Sequence, residues 1–100
     1  MATQEQVTAW AATLQTKLQD AYRKAEYSGT PTIEVQFGPK YARIVRIDGS
    51  STSAYAFVDV AAGDIFKSES WKKPAKHARG NIGDADPLAC CEVFSVRYLR

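Results

Sequence analysis

Five of the residues best suited to chemistry lie within an eight-residue run: Lys72, Lys73, Lys76, His77 and Arg79, with Trp71 just before them and Gly80-Asn81 just after. Cations at this density can neutralise several phosphates while a neighbouring tryptophan stacks on a base. They would equally suit an acidic protein surface or a small anion such as a nucleotide. Catalysis is poorly served by the same residues. His77 is the only histidine, and no motif sets a serine or cysteine beside it. No glycine-rich phosphate loop is present either. Asp84 and Asp86, in a Gly/Asp/Pro stretch, read as turn formers rather than cation ligands. Cys90 and Cys91 with His77 lack the ligand number and spacing of a zinc site. The expectation is a non-enzymatic protein with no catalytic residue, metal or cofactor.

The charge supports that focus on one segment. Net charge over the 100 residues is only +2. Residues 61–80, however, hold Lys67, Lys72, Lys73, Lys76 and Arg79 against Asp64 and Glu69, a local excess of three. Residues 1–60 are balanced, with Arg43 and Arg46 on an expected strand where they could extend the basic surface. An apolar share of 45% and a charged share of 24% are those of a single globular domain, 1–100. The adjacent Cys90 and Cys91 make a strained pairing and leave no other cysteine to bridge, so free thiols in a reducing compartment are expected. There is no apolar run long enough to span a membrane, and MATQEQ is not a signal peptide. A cytoplasmic protein follows.

Positioning these residues requires a helix and a sheet. Val7, Trp10, Ala11, Leu14, Leu18, Ala21, Tyr22 and Ala25 recur at three- and four-residue steps, predicting an amphipathic helix over 3–26. Thr3 and Gln6 form its capping box, and Ser28-Gly29 its stop. Its first turns, with Trp10, could cover the core edge or meet a second copy. From Thr32 the period becomes two, giving strand Thr32–Phe37. After the Gly38-Pro39-Lys40 turn, Tyr41–Asp48 is a second strand whose facing the adjacent Ile44 and Val45 leave ambiguous, and Ala54–Val60 and Ile65–Trp71 follow across short turns. Pro74 and Gly80 bracket a short basic helix or loop, and Cys91–Leu99 closes the chain as a strand. The predicted fold is α+β, one long helix on an antiparallel meander of about five strands. Alternation leaves Tyr55 and Phe57 on the exposed face as a binding platform.

Residues 41–82 carry a GD-x-x-K run at Gly63–Lys67, Ser70-Trp71, and Pro74-Ala75-Lys76 followed by Arg79-Gly80-Asn81. In these motifs the chain resembles a group of small uncharacterised proteins of tailed bacteriophages. The resemblance implies a viral origin and a host-cell cytoplasmic setting, and carries over no activity. Two functional readings remain. One is nucleic-acid binding through Trp71, Lys72, Lys73, Lys76, His77, Arg79 and Asn81, extended by Arg43 and Arg46. The alternative is a protein-binding inhibitor of a host or anti-phage defence factor, with homodimerisation through the N-terminal helix or a sheet edge as a further contact.

Overall fold

A computed structural model describes residues 3–27 and 29–91. Helix α1 spans Gln4–Lys24. Strands β1 (Thr32–Phe37), β2 (Tyr41–Asp48), β3 (Ser51–Asp59), β4 (Asp64–Ser70) and β5 (Lys73–Asn81) form one antiparallel sheet in chain order. The α+β architecture, one N-terminal helix on a five-stranded meander, is the expected one.

Both ends of α1 are closed locally. Thr3 Oγ1 accepts from the Gln6 amide at 3.2 Å, and Gln6 Oε1 accepts from the Thr3 amide at 2.9 Å. The reciprocal pair satisfies two backbone donors that the first turn leaves open. At the other end, Tyr27 donates to the Tyr22 carbonyl (2.9 Å) and Glu26 to that of Arg23 (3.2 Å), a Schellman closure. The left-handed residue is therefore Glu26, at φ 59°, and not a glycine. Tyr27 stacks edge-on against Tyr22 at 5.3 Å, the apolar contact that accompanies this closure. Of the expected stop, Ser28 lies outside the described residues. Gly29, at φ 96°, serves the next turn, where a Cβ would stand 2.9 Å from Asp48 Oδ1.

The stripe of α1, namely Val7, Trp10, Ala11, Leu14 and Leu18, packs on Ala42 and Ile44 of β2, on Tyr55, Ala56 and Val58 of β3, and on Ile65 of β4. Each large apolar side chain buried this way contributes about 1.5–3 kcal/mol. Gln15 Oε1 accepts from the Ile33 amide at 2.8 Å, fastening the helix to β1. Beyond β5 the chain returns beneath α1. Trp10 Nε1 donates to the Pro87 carbonyl at 2.9 Å, and the Lys17 ammonium donates to those of Leu88 and Cys91. Cys90 and Cys91 complete the core as unbridged thiols with Sγ atoms 3.9 Å apart. Trp10 is thus part of the core.

Three local expectations are corrected. The segment bracketed by Pro74 and Gly80 is strand β5, not a short helix or loop. A one- or two-turn helix gains few hydrogen bonds for the torsions it fixes, whereas β4 offers a ready ladder. Pro74 is tolerated because β5 is the outer strand among the described residues. Gly80 is where the strand passes Cys90, whose Sγ would lie 3.1 Å from a Cβ. Tyr55, expected on the exposed face, is fully buried against the helix. Pairing shifts between Ile44↔Ala56 and Val45↔Ala54, leaving Tyr55 as the extra residue of a bulge and turning it to the core side. Phe57 does lie on the other face, yet it too is buried. The strand expected over Cys91–Leu99 falls, past Cys91, outside the described residues.

Candidate functional site

The β4–β5 hairpin positions the basic run. β4 pairs with β3 only through Ile65, Phe66 and Lys67. Past that point the Ser68 hydroxyl donates to the Ala54 carbonyl at 2.6 Å, and the hairpin leaves the plane of the sheet. Its tip reaches β2, two strands away: Arg43 Nε donates to the Trp71 carbonyl at 2.8 Å. The Arg43 guanidinium lies over the Trp71 ring at 4.5 Å and also donates to Gln36 Oε1 at 2.7 Å. Trp71 is therefore a clamped turn residue, still 40% exposed.

Curling the hairpin over the sheet explains why the face away from α1 is half closed. Phe57 stands opposite Phe66 on the next strand, and Tyr41 meets both edge-on at 6.5 and 5.7 Å. The hairpin approaches this aromatic cluster, Lys72 and Pro74 lining a cleft together with Tyr41 and Phe57.

Two clefts flank it. The first, about 560 Å³, runs along the β4–β5 edge between Lys67, Glu69, Lys73, Lys76 and Arg79. It exists because the pairing of these strands is irregular. Phe66↔Ala78 is followed by Ser68↔Pro74, so Ala75, Lys76 and His77 face a single residue, Lys67, and bow outward. Arg79 is a further extra residue, between Ile65↔Gly80 and Phe66↔Ala78. The second cleft, about 440 Å³, is lined by Phe37, Lys40, Tyr41, Arg43, Phe57 and Lys72 among others. Pro74 lines both, so the two meet there.

Lys72, Lys73, Lys76 and His77 are exposed along the hairpin, and Arg79 is half-buried. Lys73 makes an ion pair with Glu69 at 3.5 Å, both well exposed, a contact of little energy. Arg79 donates through Nη1 to the His77 carbonyl, while its buried Nε finds no acceptor among the described residues. Among the described residues, Glu69 is the one carboxylate lining either cleft.

The two arginines separate. Arg43 joins the band, but Arg46 points to the helix, 8% exposed. It donates to the Tyr22 hydroxyl and lies 3.4 Å from Asp48, to which Tyr22 also donates at 2.7 Å. Burial, then the Asp48 hydrogen bond, push the Tyr22 hydroxyl above its ordinary pKa. Asn81 is occupied structurally. Its amide donates to the Ala62 carbonyl and Asp64 Oδ1, and Oδ1 accepts from Gly83. Asp84 accepts from the Asn81 amide at 2.9 Å, the turn-forming use expected of it.

Lys40, Tyr41 and Phe37 are the band residues that sequence reasoning missed. Lys40 sits over the Tyr41 ring at 5.3 Å, and Phe37 is 38% exposed. The Gly38-Pro39-Lys40 turn was legible, but its approach to Lys72 depends on the curl of the hairpin. A third cleft of about 540 Å³, beside Trp10, Ile82 and Pro87, has no charged side chain among the described residues that line it.

No group of three potential metal-ligating side chains occurs among the described residues, and no helix among them is long and apolar enough to cross a membrane. No curated protein and no solved structure matches the chain. A family model does match, over residues 1–93, and the chain belongs to that family, a family of unknown function (DUF7717).

Proposed function

We propose that this protein is a non-enzymatic nucleic-acid-binding protein whose contact surface is the β4–β5 hairpin and the β1–β2 turn that it meets. The observation that carries the reading is the cation band. Among the described residues, Lys40, Arg43, Lys67, Lys72, Lys73, Lys76 and Arg79 line two joined clefts against the one carboxylate of Glu69. Lys72, Lys73, Lys76 and Arg79 contact phosphates, and Trp71, held by Arg43, supplies an aromatic face. The buried Arg79 Nε is a donor that a phosphate oxygen in the first cleft would satisfy. The bacteriophage resemblance of residues 41–82 supports a viral accessory protein acting in the host cytoplasm. Affinity for mixed oligonucleotides at rising salt tests the reading. A steep loss with salt, shallower in Lys76→Ala or Arg79→Ala, is expected; no binding at low salt would overturn it.

The alternative is an inhibitor that binds a host or defence protein. It is favoured by the clamped, exposed Trp71 with Arg43, residue types that anchor protein interfaces. Capture of one defined protein by the wild type, lost in Trp71→Ala, would support this alternative if oligonucleotides fail to bind.

A further inference from the structure

Resting on the nucleic-acid reading, we infer that the ligand is an unpaired strand. It lies from the Arg79 cleft across Pro74 into the Tyr41 cleft, with phosphates in the first, a base in the second and a base on the Trp71 ring beside it.

The division of chemistry between the clefts is the first argument. Among the described residues, Lys67, Lys73, Lys76 and Arg79 line the first beside Glu69, without an aromatic ring. The second adds Tyr41, Phe57 and Phe37 to Lys40, Arg43 and Lys72. A strand presents these two chemistries alternately, as phosphate and base. Their volumes, about 560 and 440 Å³, fall in the range of pockets that take small ligands, which suits single nucleotide units.

An exposed ring supplies the second argument. Trp71 is 40% exposed, whereas Tyr41, Phe57 and Phe66 on this face are packed together. A base within a duplex has both faces stacked on its neighbours and leaves none for a protein ring; an unpaired base does not.

The third argument is what the hairpin cannot do. A two-stranded ribbon can read a major groove if it projects from the protein. Here the tip is folded back and tied to β2 through Arg43 and the Trp71 carbonyl. The ribbon therefore does not project from the protein, and its two clefts fit a flexible strand better than a rigid duplex.

The test uses the intact chain and three labelled probes of one sequence, about ten nucleotides long. These are the single strand (as DNA and as RNA), its blunt duplex, and an abasic phosphodiester strand of equal length. By fluorescence anisotropy at low salt, the single strand of either sugar should bind at least about tenfold tighter than the duplex or the abasic strand. Trp71→Ala should lose about tenfold on the single strand and little on the abasic one, with Trp71→Phe recovering most of the loss. Lys40→Ala should weaken the single strand more than the duplex. Duplex binding equal to or tighter than single-strand binding would overturn the inference and leave the nucleic-acid reading standing. Failure of every probe to bind would overturn that reading instead.

Discussion

Hairpins β2–β3 and β4–β5 are built alike and used differently. β2 and β3 pair over most of their length with one shift, and their central residues are buried on both faces, with α1 packed on one of them. β4 and β5 pair through three shifts, and β5 has no fully buried residue. A strand covered on both faces must be apolar nearly throughout, as Ile44-Val45 and Tyr55–Val58 are. A strand with one described neighbour is released from that demand. Lysine, proline and bulges also keep such an edge from pairing with other chains. The irregularity of β5 is thus compatible with stability, because the core closes without it, and it opens the cleft that the cations line.

Removing a core side chain on the helix side should have the largest effect on stability. Leu14→Ala, at a fully buried position, should cost about 2–5 kcal/mol in urea unfolding. Lys76→Ala on β5 should stay within about 0.5 kcal/mol. A comparable cost for both would erase the distinction between the hairpins.

The next effect is alkaline. The Cys90 thiol hydrogen-bonded beside it, and burial, hold the Cys91 thiol well above its ordinary range. The folded chain then keeps a proton that the unfolded chain releases. Stability is fully present below the unfolded thiol's pKa and falls as pH rises above it, by about 1.4 kcal/mol per pH unit. Urea midpoints between pH 8 and 10 should show this decline, flattened in Cys91→Ala. Tyr22, raised in the same direction, adds to it only above pH 10.

Arg43→Ala removes the tip's hydrogen bond and its stacking on Trp71, and should cost about 1 kcal/mol. Hydrogen exchange should quicken at Ser70–Lys73 and not in β2–β3. Arg43→Lys should behave similarly, since an ammonium cannot make the fork of contacts to Trp71 and Gln36. Smallest is Glu26→Gly, which relieves a left-handed non-glycine and should stabilise by about 0.5 kcal/mol, read as a modest rise in Tm.

These differences also mark what the sequence could reveal. Periodicity located α1 and, with the observed bounds, β1, because each pattern follows from one face meeting one core, while β2 is bounded by the turns on either side of it. It misplaced Tyr55 because a single bulge residue reverses the alternation that follows it. It misread 73–81 because Pro74 and Gly80 also punctuate helices, and because lysine, histidine and alanine carry little strand preference. The cations were visible as a run. Their union with Lys40 and Arg43, and the loss of Arg46 to the helix side, arise from how the hairpin curls over the sheet. No local pattern encodes that curl.

The most direct test is the salt dependence of oligonucleotide affinity across three chains. Wild type engaging four or five phosphates of a single strand should give a slope of log K against log salt near −3. Lys76→Ala should make it shallower by about 0.7, and Lys24→Ala, on the last turn of α1 away from the band, should leave it unchanged. Equal slopes for Lys76→Ala and Lys24→Ala, or no binding at low salt, would contradict the assignment of the β4–β5 hairpin as the working surface.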